Sequence, residues 1–144
     1  MRILGIDPGE DVGFSLLDTD LGREESWQVN IKDRESPHLY VYHKLEVARP
    51  DVIACEDFYH IPRYMKLSMI TAELIGVVKL YGQQRDIEVA MQNRGMKTGW
   101  PAVKIKMLGL WQPGEDKTDA MDALRHRLVY QEKHDMIDWT KLKP

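Results

Sequence analysis

Two apolar runs at the start of the chain constrain its fold more than any other feature. The first extends from Arg2 to Asp7 and the second from Val12 to Asp18, and the turn between them is rich in Pro, Gly and acidic residues. Short apolar runs joined by such a turn are typical of a hairpin of buried strands. The first run ends on Asp7, so this carboxylate is expected at a rigid strand end.

A carboxylate at a buried strand end is unfavourable unless an opposite charge meets it, because removing an ion from water costs several kcal/mol. A bound cation would supply that charge. Two more acidic sites lie downstream: Glu56 ends the apolar stretch that begins at Asp51, and Asp119 and Asp122 stand three residues apart in a helical pattern. We therefore expect Asp7, Glu56, Asp119 and Asp122 to converge on divalent metal.

Each of these acids also has a simpler interpretation. Asp7 is compatible with an ordinary turn, Glu56 with an ordinary strand end, and acids in a first helical turn interact favourably with the helix dipole. Asp119 and Asp122, however, share one helix face, where like charges are mildly destabilising unless a cation or a proton lies between them. The conjunction of two strand-end acids with this helical pair favours a metal site.

Length and composition restrict the class of protein. The chain has 144 residues, 43% of them hydrophobic, which is enough for one compact domain over 1–144, with no clear pattern in 134–144. Its one cysteine, Cys55, allows no internal disulfide and suits a reducing compartment. No segment approaches the roughly eighteen apolar residues that span a bilayer, and no charged leader precedes an apolar block. We expect a soluble protein of the bacterial cytoplasm, or of the host cytoplasm if a phage encodes it, without membrane association.

The charges are unevenly distributed along the chain. The formal net charge of −3 does not suggest a strong nucleic-acid binder. Residues 1–57, however, hold thirteen acids and six Lys or Arg, whereas residues 58–144 hold ten acids and fourteen Lys or Arg. Within the second part, the stretch 89–114 contains four basic residues and no acid. Ordinary solvated charges would explain this pattern, and so would one face that binds a polyanion beside another that gathers cations.

Hydrophobic periodicity predicts a mixed α/β order for the rest of the chain. Because a helix that crosses the sheet leads into a parallel strand, we expect the fourth strand beside the first, with Glu56 next to Asp7. Residues 92–100 contain two glycines and are predicted to form a mobile loop. The other predicted elements are strands over 24–31, 52–56 and 88–91 and helices over 37–48, 63–84, 101–110 and 115–133.

Three short motifs occur in a recognisable order. They are Gly5-Ile6-Asp7-Pro8-Gly9, then Cys55-Glu56 at a strand end, then Thr118 to Leu124 with the sequence Thr-Asp-Ala-Met-Asp-Ala-Leu. In this order and with somewhat compressed spacing, they resemble the RuvC family of Holliday-junction resolvases, in a compact, phage-type form, over nearly the whole chain up to about residue 130. The resemblance implies an α/β, ribonuclease-H-like fold whose five-stranded mixed sheet is flanked by helices.

The resemblance also implies an activity in DNA recombination and repair: a structure-selective endodeoxyribonuclease that resolves Holliday junctions or other branched DNA by phosphodiester hydrolysis. By similarity, Asp7, Glu56, Asp119 and Asp122 would be catalytic and would hold two Mg²⁺ ions per active site, with Mn²⁺ as a substitute. Hard oxygen ligands suit both ions, and two ions can activate water and stabilise the leaving oxygen. Cleaving a four-way junction symmetrically needs two active sites, so a homodimer is implied, formed through the helix over 63–84.

Contacts to DNA are a further implication of the resemblance. The family carries an aromatic shortly after the strand-end Glu, which corresponds to Tyr59 beside Phe58 and would stack on or wedge between bases. Alternatively, Phe58 packs on the core and Tyr59 is an exposed loop residue. Lys104 matches the family's Ala-x-Lys segment and would contact phosphate. The other candidates for DNA binding are Arg63, Arg94, Lys97 and Lys106.

The chain departs from the family pattern at two points. Gln92 stands where the family has a basic residue at the end of the fifth strand, unless Arg94 or Lys97 substitutes for it. The chain is also shorter and more acidic than the bacterial resolvases. His126 follows Asp122 by four residues on the same helix face, and a histidine on the helix surface is a simpler interpretation than an approach to the metal site.

Three other functions are compatible with parts of the sequence. Cleavage of RNA–DNA hybrid would use the same fold and metals. A phosphate-binding ATPase of the actin and chaperone type also opens with a Gly-Ile-Asp-x-Gly strand, but it needs a duplicated domain that 144 residues do not supply. A non-catalytic DNA-binding adaptor would have no evident use for four retained carboxylates.

Overall fold

The structure is a computed structural model that describes residues 1–57, 69–111 and 118–141. The strands are β1 (Arg2–Asp7), β2 (Asp11–Asp18), β3 (Arg23–Asn30), β4 (Val52–Asp57) and β5 (Glu88–Asn93). The helices are α1 (Pro37–Ala48), α2 (Met69–Arg85), α3 (Ala102–Met107) and α4 (Asp119–Lys133), with 3₁₀ segments over Arg94–Gly99 and Trp139–Lys141. In this described part of the chain, no helix combines the length and hydropathy needed to cross a bilayer.

The strands form one mixed sheet in the order β3-β2-β1-β4-β5. The first three strands are antiparallel neighbours, whereas β4 runs parallel to β1 and β5 runs parallel to β4. In this register Ile6 pairs with Cys55 and Glu56 pairs with Gln92. Asp7 and Glu56 therefore follow paired residues and lie at the same edge of the sheet, where the parallel strands end, as predicted.

The two faces of the sheet are covered by different helices. Because strand residues alternate between faces, Leu4 and Ile6 of β1 point to a core that α1 and α2 complete, whereas Ile3 and Gly5 point to α4. The main core is fully buried and largely aliphatic, which explains why the apolar runs of the sequence predict it. Its strand members are Leu4, Ile6, Val12, Phe14, Ile53 and Cys55, its helix members are Val41, Leu45, Ala48, Leu74, Ile75, Val78 and Tyr81, and Ile31 after β3 completes it.

Two glycines allow α4 to lie directly on the strands. A Cβ atom at Gly5 would overlap the backbone carbonyl of Ala123, and one at Gly13 would overlap that of Asp119. Only glycine accepts so close an approach between helix and sheet. The pair of glycines thus sets the distance between the first turns of α4 and the end of β1.

The segment after β5 differs from the predicted mobile loop. Residues 94–99 form a 3₁₀ segment, and Trp100 behind it is fully buried among apolar side chains of α3 and α4. Its Nε1 donates to Glu132 at 2.9 Å and its ring stacks on Trp139 with a centroid distance of 5.9 Å. Glycine content predicted a loop, but the buried indole holds the segment in place and also packs the chain near its C-terminus.

The start of the last helix differs from the prediction. Helix α4 begins at Asp119, because the Thr118 side chain caps it by accepting from the Met121 N–H. Residues 112–117, where the earlier start was predicted, lie outside the described residues. The same holds for 63–68 at the predicted start of the long helix, whose described part begins at Met69.

Candidate active site

Three acids from separate segments surround one ammonium group at the edge of the sheet. The Lys97 Nζ lies 2.6 Å from Asp122 Oδ2, 2.9 Å from Glu56 Oε2 and 3.8 Å from Asp7 Oδ2. Its side chain is only 13% exposed. Asp7 ends β1, Glu56 lies near the end of β4 and Asp122 lies in the first turn of α4, so the fold brings these predicted acids together.

The fourth predicted acid, Asp119, stands one turn before Asp122 on the same helix. Burial raises the pKa of Asp119, and repulsion from Asp11 and Asp122 raises it further. Its charge also acts on Asp7, whose pKa it helps to raise. Asp119 therefore adds its negative charge to that of the three acids that surround Lys97.

The two strand-end acids differ in how well their charges are compensated. Burial, followed by repulsion from Glu56, raises the pKa of Asp7 to about 7, and Lys97 offsets only part of this effect. Burial acts in the same direction on Glu56, but hydrogen bonds from His126 and Lys97 outweigh it and lower its pKa. Asp7 is thus the acid whose negative charge the protein compensates least.

His126 contradicts the prediction that it lies on the helix surface. Its side chain has no exposed area, and its Nε2 lies 2.8 Å from Glu56 Oε2. On the other side of the ring, Nδ1 lies 2.9 Å from Oε1 of the buried Gln92. The sequence signal was the spacing, because residues 119, 122 and 126 fall on one helix face and that face meets the sheet. The Gln92 side chain consequently points into the interior of the protein and is not at its surface.

Arg125 is a second residue that sequence reasoning did not assign to the site. Its Nη1 binds Asp122 Oδ1 and its Nε donates to the backbone carbonyl of Trp100 at 3.2 Å. Because Lys97 binds the other oxygen of Asp122, both oxygens of this carboxylate have cationic partners. The signal was again local, since an acid and an arginine at i, i+3 are neighbours on a helix.

The basic residues predicted to contact DNA occupy different environments. Lys97 lies inside the acidic cluster, whereas Arg94 is 69% exposed with its Nε 3.9 Å from Glu56 Oε1. Lys104 donates to a backbone carbonyl of the preceding turn, and Lys106 is exposed on α3 over an indole ring. Arg94 is therefore accessible beside the cluster, and Lys106 is accessible on α3. Phe58, Tyr59 and Arg63 lie outside the described residues.

The acids have the donor atoms of a divalent-metal site, with the Lys97 ammonium among them. Within 1–57, 69–111 and 118–141, no three His, Cys, Asp or Glu side chains are spaced to share one ion as they stand, and the Lys97 ammonium lies between Asp7, Glu56 and Asp122. These residues offer only carboxylate oxygens, which Mg²⁺ and Mn²⁺ prefer. Asp7 also keeps a repulsion from Glu56 that the lysine does not cancel. The donor chemistry fits a divalent cation that takes over the position of the ammonium.

Comparisons with known proteins agree with this geometry. No protein-family model matches the chain. Two curated relatives, named crossover junction endodeoxyribonuclease RuvC, from Mycobacterium ulcerans and Mycobacterium marinum, are each 34% identical over 101 residues. The match covers 62% of this chain and 54% of each relative. The chain therefore spans about half the length of the curated relatives it matches.

Solved structures extend the likeness to the whole fold. RuvC of Thermus thermophilus in complex with Holliday junction substrate matches with a TM-score of 0.69 at 19% identity, covering 94% of this chain and 97% of that one. The fowlpox virus Holliday junction resolvase matches with a TM-score of 0.59 at 13% identity, covering 93% and 97%. The yeast mitochondrial resolvase Ydc2 matches with a TM-score of 0.60 at 15% identity, covering 93% and 81%. The predicted ribonuclease-H-like fold is confirmed, and the likenesses in sequence and fold confirm the resemblance to the RuvC family of resolvases that the three motifs indicated.

Proposed function

We propose that the chain is a metal-dependent, structure-selective endodeoxyribonuclease that cuts four-way or otherwise branched DNA. The observation that carries this proposal is the meeting of Asp7, Glu56 and Asp122 around one cation position at the end of the parallel strands. Such a cluster of like charges destabilises a fold unless a cation compensates it, so its presence favours a site that binds metal. The likeness to resolvases in sequence and fold supports branched DNA as the substrate.

Asp7, Glu56, Asp119 and Asp122 would hold two Mg²⁺ ions, for which Mn²⁺ can substitute. When bound, such a pair supplies activation of the attacking water and compensation of the charge on the leaving oxygen. The protein contributes rigid placement: Asp7 ends a buried strand, and the close contact of α4 with that strand fixes the first turn of the helix. Asp122 is held in addition by Arg125. Positioned donors of this kind reduce the reorganisation that the reaction requires.

Basic residues beside the cluster would bind the sugar-phosphate backbone of the substrate. Arg94 is exposed next to Glu56, and Lys106 is exposed on α3. Together with Lys104 they belong to the acid-free stretch 89–114, whose basic residues favour contact with a polyanion. Tyr59, which follows the strand-end acid in sequence, would meet a base at the branch point.

A homodimer would supply the two active sites that symmetric cleavage requires. Helix α2 exposes apolar and small side chains at Met69, Ala72, Gly76 and Leu80, which recur at spacings of three and four and so share one face. Met69 is 71% and Leu80 is 49% exposed. The opposite side of the helix is buried in the main core, so this stripe is available to a second copy.

The test is cleavage of an end-labelled four-way DNA junction by the wild type and by Asp7→Asn, in Mg²⁺ or Mn²⁺. Linear duplex and RNA–DNA hybrid serve as comparison substrates. Asp86→Asn is the matched control, because Asp86 is exposed just before β5, at the other end of the sheet, with a positive φ that Asn tolerates. We expect paired nicks from the wild type and the control and none from Asp7→Asn.

Other results would change the assignment. Cleavage restricted to hybrid would keep the site and replace the substrate. Junction binding without cleavage of any substrate would contradict the nuclease and leave a DNA-binding adaptor.

A further inference from the structure

Three elements contribute to a buried chain of hydrogen bonds behind the acidic cluster. His126 of α4 lies between Glu56 of β4 and Gln92 of β5, at 2.8 Å and 2.9 Å from their side-chain oxygens. Glu56 and Gln92 are themselves paired across the two strands. The imidazole is fully buried and has one polar partner on each ring nitrogen. No solvent competes for either bond, so the orientation of the ring is determined by the protein.

The chemistry of the partners assigns the protons. An ionised carboxylate only accepts hydrogen bonds, so the ring nitrogen that faces Glu56 donates. A neutral ring then accepts at Nδ1, and the Gln92 amide can donate there, because its oxygen and nitrogen exchange places by a rotation of 180°. Glu56 thereby selects the tautomer that carries its proton on Nε2, and the Gln92 amide binds the other ring nitrogen. The residue that replaces the family's basic side chain is used to orient His126.

Which oxygen of the Glu56 carboxylate accepts from His126 matters as much as the strength of that hydrogen bond. His126 and Lys97 both bind Oε2 of Glu56, at 2.8 Å and 2.9 Å. The other oxygen, Oε1, is approached by the exposed Arg94 at 3.9 Å. His126 would therefore keep the carboxylate plane fixed when Lys97 leaves and a cation takes its place.

We propose that His126 is a positioning residue that fixes the Glu56 carboxylate by donating from Nε2, and that Gln92 fixes the ring from the opposite side. This inference rests on the proposed function, since it assigns a task to residues behind the same site. In this role His126 would contact Glu56 and Gln92 and neither substrate nor metal. It acts through Glu56, as outer partners of metal ligands do.

Two conservative variants separate positioning from packing. The amide nitrogen of a glutamine at 126 reaches the place of Nε2, whereas that of an asparagine reaches only the place of Nδ1. His126→Gln should therefore keep most of the function. His126→Asn should lose about 10- to 100-fold in Mn²⁺ affinity or in kcat, the range for loss of an outer partner. The KM for junction DNA should stay unchanged, because His126 lies behind the site.

The measurements are Mn²⁺ binding without DNA, by electron paramagnetic resonance of the free ion, and junction cleavage at saturating Mn²⁺. His43→Asn is the matched control, since His43 is exposed on α1, and it should behave as the wild type in both assays. Gln92→Met keeps the histidine and removes its second hydrogen bond, so it should weaken Mn²⁺ binding in the same direction even if His126→Asn does not fold. Thermal melts in EDTA report folding independently.

The outcomes are distinguishable. Equal losses in His126→Gln and His126→Asn would overturn positioning and leave packing as the role of the ring. Wild-type Mn²⁺ binding and kcat in His126→Asn would also overturn it, as would wild-type Mn²⁺ binding in Gln92→Met. If the wild type cuts no substrate, the proposed function fails, while the Mn²⁺ affinities of the two His126 variants still decide how Glu56 is held.

Discussion

Replacing Asp7 by Asn should stabilise the metal-free protein while abolishing cleavage. Asp7 is largely buried at the end of β1 and lies near Glu56, Asp119 and Asp122, with Lys97 as a partial counter-charge. Asparagine has nearly the same shape and no charge. The substitution therefore removes the repulsion and the desolvation of the carboxylate without leaving a cavity.

The size of the effect follows from the pKa of Asp7, which the fold raises from 3.8 to about 7. Each pH unit between the folded and unfolded values corresponds to about 1.4 kcal/mol, so the fully ionised side chain costs at most about 4 kcal/mol. The folded state binds this proton more tightly than the unfolded state. The free energy of unfolding of the wild type should therefore fall as the pH rises from about 4 through 7, and the variant should lack this loss.

Thermal melts in EDTA at pH 5 and pH 9 measure the difference. At roughly 3 °C per kcal/mol for a chain of this size, Asp7→Asn should melt roughly 10 °C above the wild type at pH 9. At pH 5 the gap should shrink to about 5 °C, because only about a third of the loss has occurred between the unfolded pKa of 3.8 and this pH. Asp86→Asn, an exchange of the same atoms at an exposed turn, should show no such pH-dependent gap. Equal melting at pH 9, or a less stable variant, would refute the account of Asp7 as a buried and poorly compensated charge.

Three further predictions concern the counter-charge, the helix contact and the dimer. Lys97→Met should lower the free energy of unfolding in EDTA by roughly 2–3 kcal/mol, because three carboxylates lose a shared ammonium. Urea titrations measure this loss, and added Mg²⁺ should restore the stability. An unchanged stability in EDTA would contradict the prediction. Gly5→Ala should lower the free energy of unfolding by at least about 3 kcal/mol, because its Cβ would overlap the Ala123 carbonyl. The control Gly76→Ala, where no atom lies within contact distance, should raise the free energy of unfolding by about 1 kcal/mol. Similar melting temperatures for the two variants would argue against the close contact. Leu80→Glu should convert a dimer to monomers in sedimentation and replace paired nicks by single ones, and an unaffected dimer would exclude this face of α2.

Local signals predicted most of the fold because they depend on residues that are close in sequence. The bounds of β1 and α1 were predicted correctly, the former by an uninterrupted apolar run and the latter by a Ser-Pro start. The place of β4 beside β1 followed from the general handedness and length of crossover connections. The segment 92–100 was predicted less well, since its order depends on Trp100 packing against α4, far along the chain.

In the candidate site, too, some features depend on residues that are close in sequence and others depend on residues that are far apart. The sequence by itself determined which carboxylates end strands or open a helix, because strand ends and helix caps are set by neighbouring residues. Only the tertiary structure decided their counter-charges: Lys97 lies 41 residues from Glu56 in the sequence and His126 lies 70 residues from it. No periodic pattern links residues so far apart. Their contact exists because β4 and β5 are paired in one register and because Gly5 and Gly13 allow α4 to approach the strands closely enough for its side chains to reach the acids.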